Sequence, residues 1–297
     1  MSAARTKNDD CLLCRKRKAD AENSHIYTKF ITRSIFGDRK LNQGGGQINS
    51  ANVEYGEPAF DTVKEDHILC INCERIRLCR LETYVSTHFY NRYRNPRFAD
   101  AFPIEKRYNL ITEELDCIIC EKLHTGLFKL FIYSQIWRAS ISTDNAYKNF
   151  KLSPELEETL RHTLDTFLKD TADETIAYYD EHVADFPQFQ FTIVTPKDQS
   201  ESIGNFVAEP YDAGNGTFLM VLNEFAIIFY SKWNEGRKFA RAFNPGAYPI
   251  NVAIVTEEEW KDSVINPLVG MLVKSVKHTM RKAMIAEAKA KAESKRR

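Results

Sequence analysis

The sequence predicts an α+β chain: a zinc-bound head, a helical middle, a small and mostly antiparallel sheet, and a long C-terminal helix. Three observations carry this expectation. Two Cys-x-x-Cys pairs, Cys11-Leu-Leu-Cys14 and Cys70-Ile-Asn-Cys73, bracket a turn-rich segment. Apolar residues then recur at helical spacing to about residue 185. From residue 186 the texture changes to alternating β-branched and aromatic residues, followed by a basic helix-forming tail. The expected domains are a zinc-binding head at 1–110 and a helical and β region at 111–297.

The 297 residues are 43% hydrophobic and 28% charged, enough for a sizeable core. Lys plus Arg equals Asp plus Glu at 41 each, so any partner preference must come from segregation of charge rather than from its total. No run approaches the roughly 18 apolar residues of a membrane span; the longest, Leu127 to Ile136, carries Lys129. The N-terminus shows no apolar signal region. Six of the seven cysteines fall in Cys-x-x-Cys pairs, which in a reducing compartment point to metal rather than disulfides. The expectation is a soluble cytoplasmic protein with no membrane partner.

Taking the elements in order, Gly44-Gly45-Gly46, Asn49, Asn52 and Gly56 are turn residues and make the segment between the cysteine pairs a surface excursion. A helix starts at the second pair, with Ile76, Cys79, Tyr84, Val85, His88 and Phe89 on its apolar face. Pro96 and Pro103 interrupt it. Residues 111–138 read as helix again, and Gly126 to Trp137, apolar on most faces, reads as buried. Ser153-Pro154-Glu155 is a helix start, with Leu156, Leu160, Leu164, Phe167 and Leu168 as the stripe behind it. This acidic helix, read as reaching about residue 185, should face solvent or a basic partner surface. Strands are expected at Phe189–Thr195, Asn205–Tyr211, Thr217–Tyr230 and Ile250–Thr256, with a hairpin at Ala213-Gly-Asn-Gly216. From Thr256 the chain is helical, with a break at Asn266-Pro267.

Zinc binds four thiolates tetrahedrally, and two Cys-x-x-Cys turns supply them, so Cys11, Cys14, Cys70 and Cys73 are the expected ligands. Four ordinary buried cysteines are the alternative. On a helix, Cys117, Cys120 and His124 would share a face and form a second site with Cys79; against this, Ile118 and Ile119 between the sulfurs suit a turn packed into the core.

Cys-x-x-Cys, then Ser24-His25-Ile26, then Gly-rich turns with Asn, then Leu69-Cys-x-x-Cys-Glu74 resembles the four-cysteine zinc branch of the HNH, or ββα-metal, endonucleases. A group of bacterial HNH-like proteins is similar over residues 11–165, including a helix like Lys129-Leu-Phe-Ile-Tyr-Ser-Gln-Ile-Trp-Arg138. The resemblance implies a treble-clef/ββα head, a hydrolase acting on phosphodiesters, and His25 as general base. It implies Asn52, or Asn49 before it, as the asparagine that holds the hairpin. Glu74 would take the place of a ligand to catalytic Mg²⁺ or Mn²⁺ beside the structural Zn²⁺. The chain departs from the pattern in two ways: Ser24 stands where an aspartate is usual, and the stretch from His25 to Cys70 is long for a compact hairpin.

Arg15-Lys-Arg-Lys18, Lys29, Arg33, Arg39 and Lys40 follow the first pair; Arg75, Arg77, Arg80, Arg92, Arg94 and Arg97 follow the second, interleaved with tyrosines. Such a surface attracts phosphate backbones, and nucleic acid, DNA foremost, is the expected partner. The alternatives are an ordinary solvated basic face, and a non-catalytic zinc-knuckle module that binds nucleic acid, a protein partner or a second copy of the chain. The basic tail from Lys274 reads as a solvated helix or a binding arm. Phosphate-loop, Gly-x-Ser-x-Gly and His-Glu-x-x-His motifs are missing from the sequence, and the Cys-x-x-Cys pairs lack a thioredoxin setting.

Overall fold

The computed structural model describes residues 5–30, 62–93, 95–108, 114–148, 150–197, 207–232, 249–270 and 273. The chain runs β1 (Ser24–His25), β2 (Lys64–Glu65), α1 (72–93), β3 (Ile104–Tyr108), β4 (Glu114–Cys120), α2 (Thr125–Ile141), α3 (Pro154–Phe167) and α4 (Ala172–Glu181). It continues through β5 (Gln190–Pro196), β6 (Val207–Gly214), β7 (Thr217–Leu222), β8 (Phe225–Tyr230), β9 (Ile250–Val255) and α5, which opens at Glu257–Trp260.

The hub is α2. Its residues from Thr125 to Ser140 are all buried, so this helix is apolar all round because neighbours surround it. His124 caps it, its Nδ1 accepting from the Leu127 amide at 3.4 Å. Gly126 lets Tyr179 of α4 lie flat on the first turn, where a Cβ would meet the ring at 2.5 Å. Phe128 packs against Phe89 of α1 at 5.3 Å and Phe191 of β5 at 6.0 Å.

The helix α1 starts at the second cysteine pair, as the sequence suggests, but its face is not the regular one. Two wide π-turns, Asn72–Leu78 and Ser86–Tyr90, shift the register. Leu78, Leu81, Val85, Phe89 and Tyr90 are therefore buried, and Cys79 is exposed. Ser153 caps α3 as expected, accepting from Leu156 at 3.3 Å, and Leu160, Leu164 and Phe167 are buried. The expected helix to residue 185 is two helices. The chain turns extended at Leu168, and Thr171 restarts it with a reciprocal capping box to Glu174.

The sheet is larger than expected, with seven strands in the order β3-β4-β9-β5-β8-β7-β6. Every neighbouring pair is antiparallel except β5–β9. Two misread stretches and one strand not read at all, β3 at Ile104–Tyr108, account for its size. Residues 114–120 are strand β4 rather than helix, because Cys117-Ile-Ile-Cys120 is buried on both faces and an unbroken apolar run has no period to read. The stretch 217–230 is two strands, folded back at Asn223, whose φ is 59°. The turn between β6 and β7 is where the sequence puts it, with φ of 54° at Asn215 and 70° at Gly216, the geometry of a type I′ hairpin. Residue 110, the expected domain limit, falls between paired strands β3 and β4.

One face of the sheet, with Phe191, Ile193, Phe225, Ile227, Phe229 and Val252, packs on the α1–α4 side in a core that reaches Cys11. The other face, with Val194, Val221, Ala226 and Val255, is covered by Trp260, Val264 and Leu268 of α5. Asn266-Pro267 does not break α5. A wide turn at Lys261–Ile265 comes first, and residues 266–270 continue helical. The missing proline amide is absorbed where the hydrogen-bond ladder has already slipped. The described part of this helix is short, and the rest of the expected long tail lies outside the described residues. Among the described residues no helix is long and apolar enough to cross a membrane.

Candidate functional site

The first cysteine pair sits in a closed loop. Asp10 and Lys18 form an antiparallel bridge. Inside it the Cys11 amide donates to Arg17 O at 2.8 Å and the Arg15 amide to Cys11 O at 2.9 Å, with Arg15 at φ 53°. The loop is pinned to the approach of the second pair by Leu12 N–H to Ile68 O (2.9 Å) and Ala21 N–H to Leu69 O (3.0 Å). Asp20 Oδ1 then accepts the Ile71 amide at 2.8 Å, capping the start of α1. The Cys73 amide donates to Cys70 Sγ at 3.4 Å, a contact that favours thiolate.

The four sulfurs lie within 4.8 Å of one another, and all four cysteines are buried. Cys14 Sγ and Cys70 Sγ are 3.9 Å apart. Zinc–sulfur bonds of about 2.3 Å at tetrahedral angles put sulfurs about 3.8 Å apart, whereas a disulfide needs about 2.05 Å. The cluster is therefore consistent with a structural Zn²⁺ site. The thiols also conflict electrostatically. A hydrogen bond from Cys73 draws Cys11 down to about 5. Burial and the neighbouring thiolates push Cys70 up to about 11, and the bond to Cys11 followed by burial pushes Cys73 up as well. A dication at the centre would remove that conflict.

Among the described residues no other group of three or more metal donors gathers. The second site weighed at Cys117, Cys120 and His124 is not formed among the described residues, and the two cysteines pack in the core as the alternative has it. Three apart on a strand, the two cysteines point to opposite faces. His124 caps α2 and its Nε2 lies 3.2 Å from Asp180. Cys79 is exposed on α1.

Two arginines dock the knot on α3. Arg77, one turn beyond Cys73, is buried and reaches the Leu164, Asp165 and Leu168 carbonyls at that helix's C-terminus. Its Nη1 also lies 3.7 Å from Cys73 Sγ. Arg161 donates to Leu13 O at 2.6 Å. Three of the four basic residues after the first pair are paired within the chain: Arg15 with Glu158 at 2.7 Å, Lys16 with Asp165 at 3.8 Å and Lys18 with Asp10 at 2.7 Å. Part of the acidic face of α3 thus meets a basic surface of its own protein, while Glu155 and Glu158 stay exposed to solvent. Arg75, Arg80 and Arg97 are exposed. Arg33, Arg39, Lys40, Arg94 and the tail lysines lie outside the described residues.

His25 and Glu74 are brought together next to the knot. β1 and β2 pair with Ser24 opposite Glu65 and His25 opposite Lys64, and α1 follows, so the order around the cysteines is ββα. Glu74 lies in the first turn of α1. Burial raises its carboxyl to about 7, with Glu82 acting the same way, while Arg138, the His25 amide and the Ser24 hydroxyl oppose the rise. Ser24 approaches closely enough to act on that carboxyl. Yet neither its Oγ nor Glu74 Oε2 completes a well-formed hydrogen bond. Arg138, reaching in from α2, donates to His25 O at 2.9 Å and to Glu82 Oε1 at 2.5 Å. His25 Nδ1 lies 2.9 Å from Thr62 Oγ1. Asn49 and Asn52 lie outside the described residues.

Sequence reasoning missed the structural roles of Arg77, Arg138 and Thr62. Arg138 carried a signal, a permanent charge at the end of an apolar helix, which must find buried partners. Thr62 carried none. A cleft of about 670 Å³ opens beside the knot between Lys16, Lys169 and Tyr178. No family model, curated protein or solved structure matches this chain, so its residues and their geometry carry the functional argument.

Proposed function

We propose that the chain is an HNH-like phosphodiesterase acting on nucleic acid, DNA foremost, with His25 as general base and the four-cysteine zinc as its structural clamp. The supporting observation is the ββα order around the cysteines, with His25 at the end of β1 and Glu74 in the first turn of α1. In this reading His25 takes a proton from water as the water oxygen bonds to phosphorus, the scissile P–O bond breaks, and the leaving alkoxide oxygen takes a proton from solvent. The described residues assemble no dedicated cage of three or more protein donors for a catalytic Mg²⁺ or Mn²⁺. Glu74 offers one carboxylate beside the cationic Arg138, and no group of three donors other than the cysteines gathers there. No step is therefore taken through such an ion.

A second reading has its own observations: a zinc-organised module that binds nucleic acid or a protein without cutting. It is favoured by the pairing of Arg15 and Lys16 with α3 and by the engagement of Arg138 with Glu82. One experiment separates the two. Supercoiled plasmid is incubated with the protein, with and without Mg²⁺ or Mn²⁺, alongside His25→Ala of equal zinc content. Nicking by the parent alone supports the phosphodiesterase. Equal nicking, or none, refutes it, and binding that weakens steeply with salt then supports the module.

A further inference from the structure

We propose that Thr62 is the positioning residue of His25 and sets its tautomer, placing the ring proton on Nδ1 and the basic lone pair on Nε2. Pairing of the two strands carries on past β1, since the Ile26 amide donates to Val63 O at 3.1 Å. This brings Thr62, only 7% exposed, against both the backbone and the ring of the segment opposite. Its hydroxyl donates to Tyr27 O at 3.0 Å, and the same Oγ1 is 2.9 Å from His25 Nδ1. A threonine hydroxyl has one proton to give. With that proton on the Tyr27 carbonyl, Oγ1 faces His25 with lone pairs only, and Nδ1 must be the donor. The tautomer follows from the hydrogen-bond network.

The backbone that carries the ring is held from the opposite side. Arg138 Nη1 donates to His25 O at 2.9 Å, and Gln135 Oε1 accepts the Thr28 amide at 3.1 Å. Both side chains are buried and lie one turn apart on α2. Residues 25–28 are thus clamped between a core helix and Thr62, which fixes the backbone that carries the ring. For a general base the tautomer decides which nitrogen can take the proton, and a wrong tautomer is costly even when geometry survives. That consequence rests on the phosphodiesterase reading; the tautomer itself does not.

The test reads the ring directly. Long-range ¹H–¹⁵N spectra of the zinc-loaded protein are recorded well above the ordinary histidine pKa, with His25 assigned by its loss in His25→Asn. The parent and Thr62→Ser should show the Nδ1–H pattern. Thr62→Val, which keeps the shape and removes the acceptor, should show a shift toward Nε2–H. If the plasmid is cut, Thr62→Val should lower kcat on the order of 10- to 100-fold with KM unchanged, and Thr62→Ser should restore most of it. An Nε2–H ring in the parent overturns the proposal, as does an unchanged pattern in Thr62→Val. If the valine variant fails to fold, the parent and serine spectra decide alone. A protein that cuts nothing refutes the phosphodiesterase and leaves the tautomer assignment to the spectra.

Discussion

Arg77 couples the cysteine knot to the helical layer, and its replacement tests how the head is attached. The guanidinium donates through Nε and Nη2 to Leu168 O at 2.9 and 2.7 Å, and through Nη2 to Leu164 O at 3.2 Å and Asp165 O at 2.5 Å. Nη1 meets Asp165 Oδ1 at 3.0 Å and Cys73 Sγ at 3.7 Å. The three carbonyls lie at or just past the end of α3, where intrahelical donors run out; of them Leu164 O also accepts the Leu168 amide at 3.1 Å. Arg77→Ala leaves the Asp165 and Leu168 carbonyls and a largely buried carboxylate without this donor, while Leu164 O keeps the Leu168 amide. Orphaned buried groups cost about 1–3 kcal/mol each, but the neighbouring cleft admits water and Lys16 remains near Asp165, so the terms do not sum fully. The expected loss is about 3–5 kcal/mol, that of a broken buried ion pair, or roughly 6–20 °C in Tm. Arg77→Lys keeps the charge but not the planar fork, and should lose about half as much. Urea unfolding in zinc-saturating buffer measures both. A loss below about 1 kcal/mol in the alanine variant, with zinc retained, would refute the capping argument.

Three further outcomes are expected. The purified protein should hold about one zinc per chain, and Cys11→Ser should lose it and unfold in the presence of a chelator; metal analysis with circular dichroism checks this. Lys129, fully buried on α2 and donating to Gln188 Oε1, is lowered to about 8 by desolvation. Its amine is charged in both folded and unfolded chains below that value, which penalises folding, and the penalty is relieved as pH rises from about 8 toward 10.5. Lys129→Met should therefore raise stability by roughly 1–3 kcal/mol at neutral pH, a gain that shrinks across that window; a gain independent of pH would contradict the desolvation account. Gly126→Ala should destabilise, despite alanine's better helix propensity, by about 1–3 kcal/mol, because its Cβ would sit 2.5 Å from the Tyr179 ring. Thermal unfolding decides its sign.

Local chemistry made some elements legible in advance. The start of α3 was readable because Ser153-Pro154 caps a helix in any context. The turn from β6 to β7 was readable because Asn215-Gly216 accepts the positive φ that a tight hairpin demands. The burial of α2 was readable because no face of it could tolerate water. β4 was not readable, since its buried run suits either period, nor were the π-turns of α1, which leave no mark in composition.

For the candidate site, the sequence by itself determined which four cysteines gather. Cys-x-x-Cys brings two sulfurs to one turn whatever surrounds it, so pairing the two turns was the only long-range step required. The tertiary structure alone decided what lies around them. It joined the basic knuckle to α3, assigned Arg77 to the end of that helix, and brought Thr62 to the ring of His25. It also separated Cys117 from Cys120 across a sheet. The physical reason is range. A metal turn, a cap or a hairpin is specified by neighbours in sequence, whereas a buried charge or a ring proton is specified by whichever group the fold brings within about 3 Å.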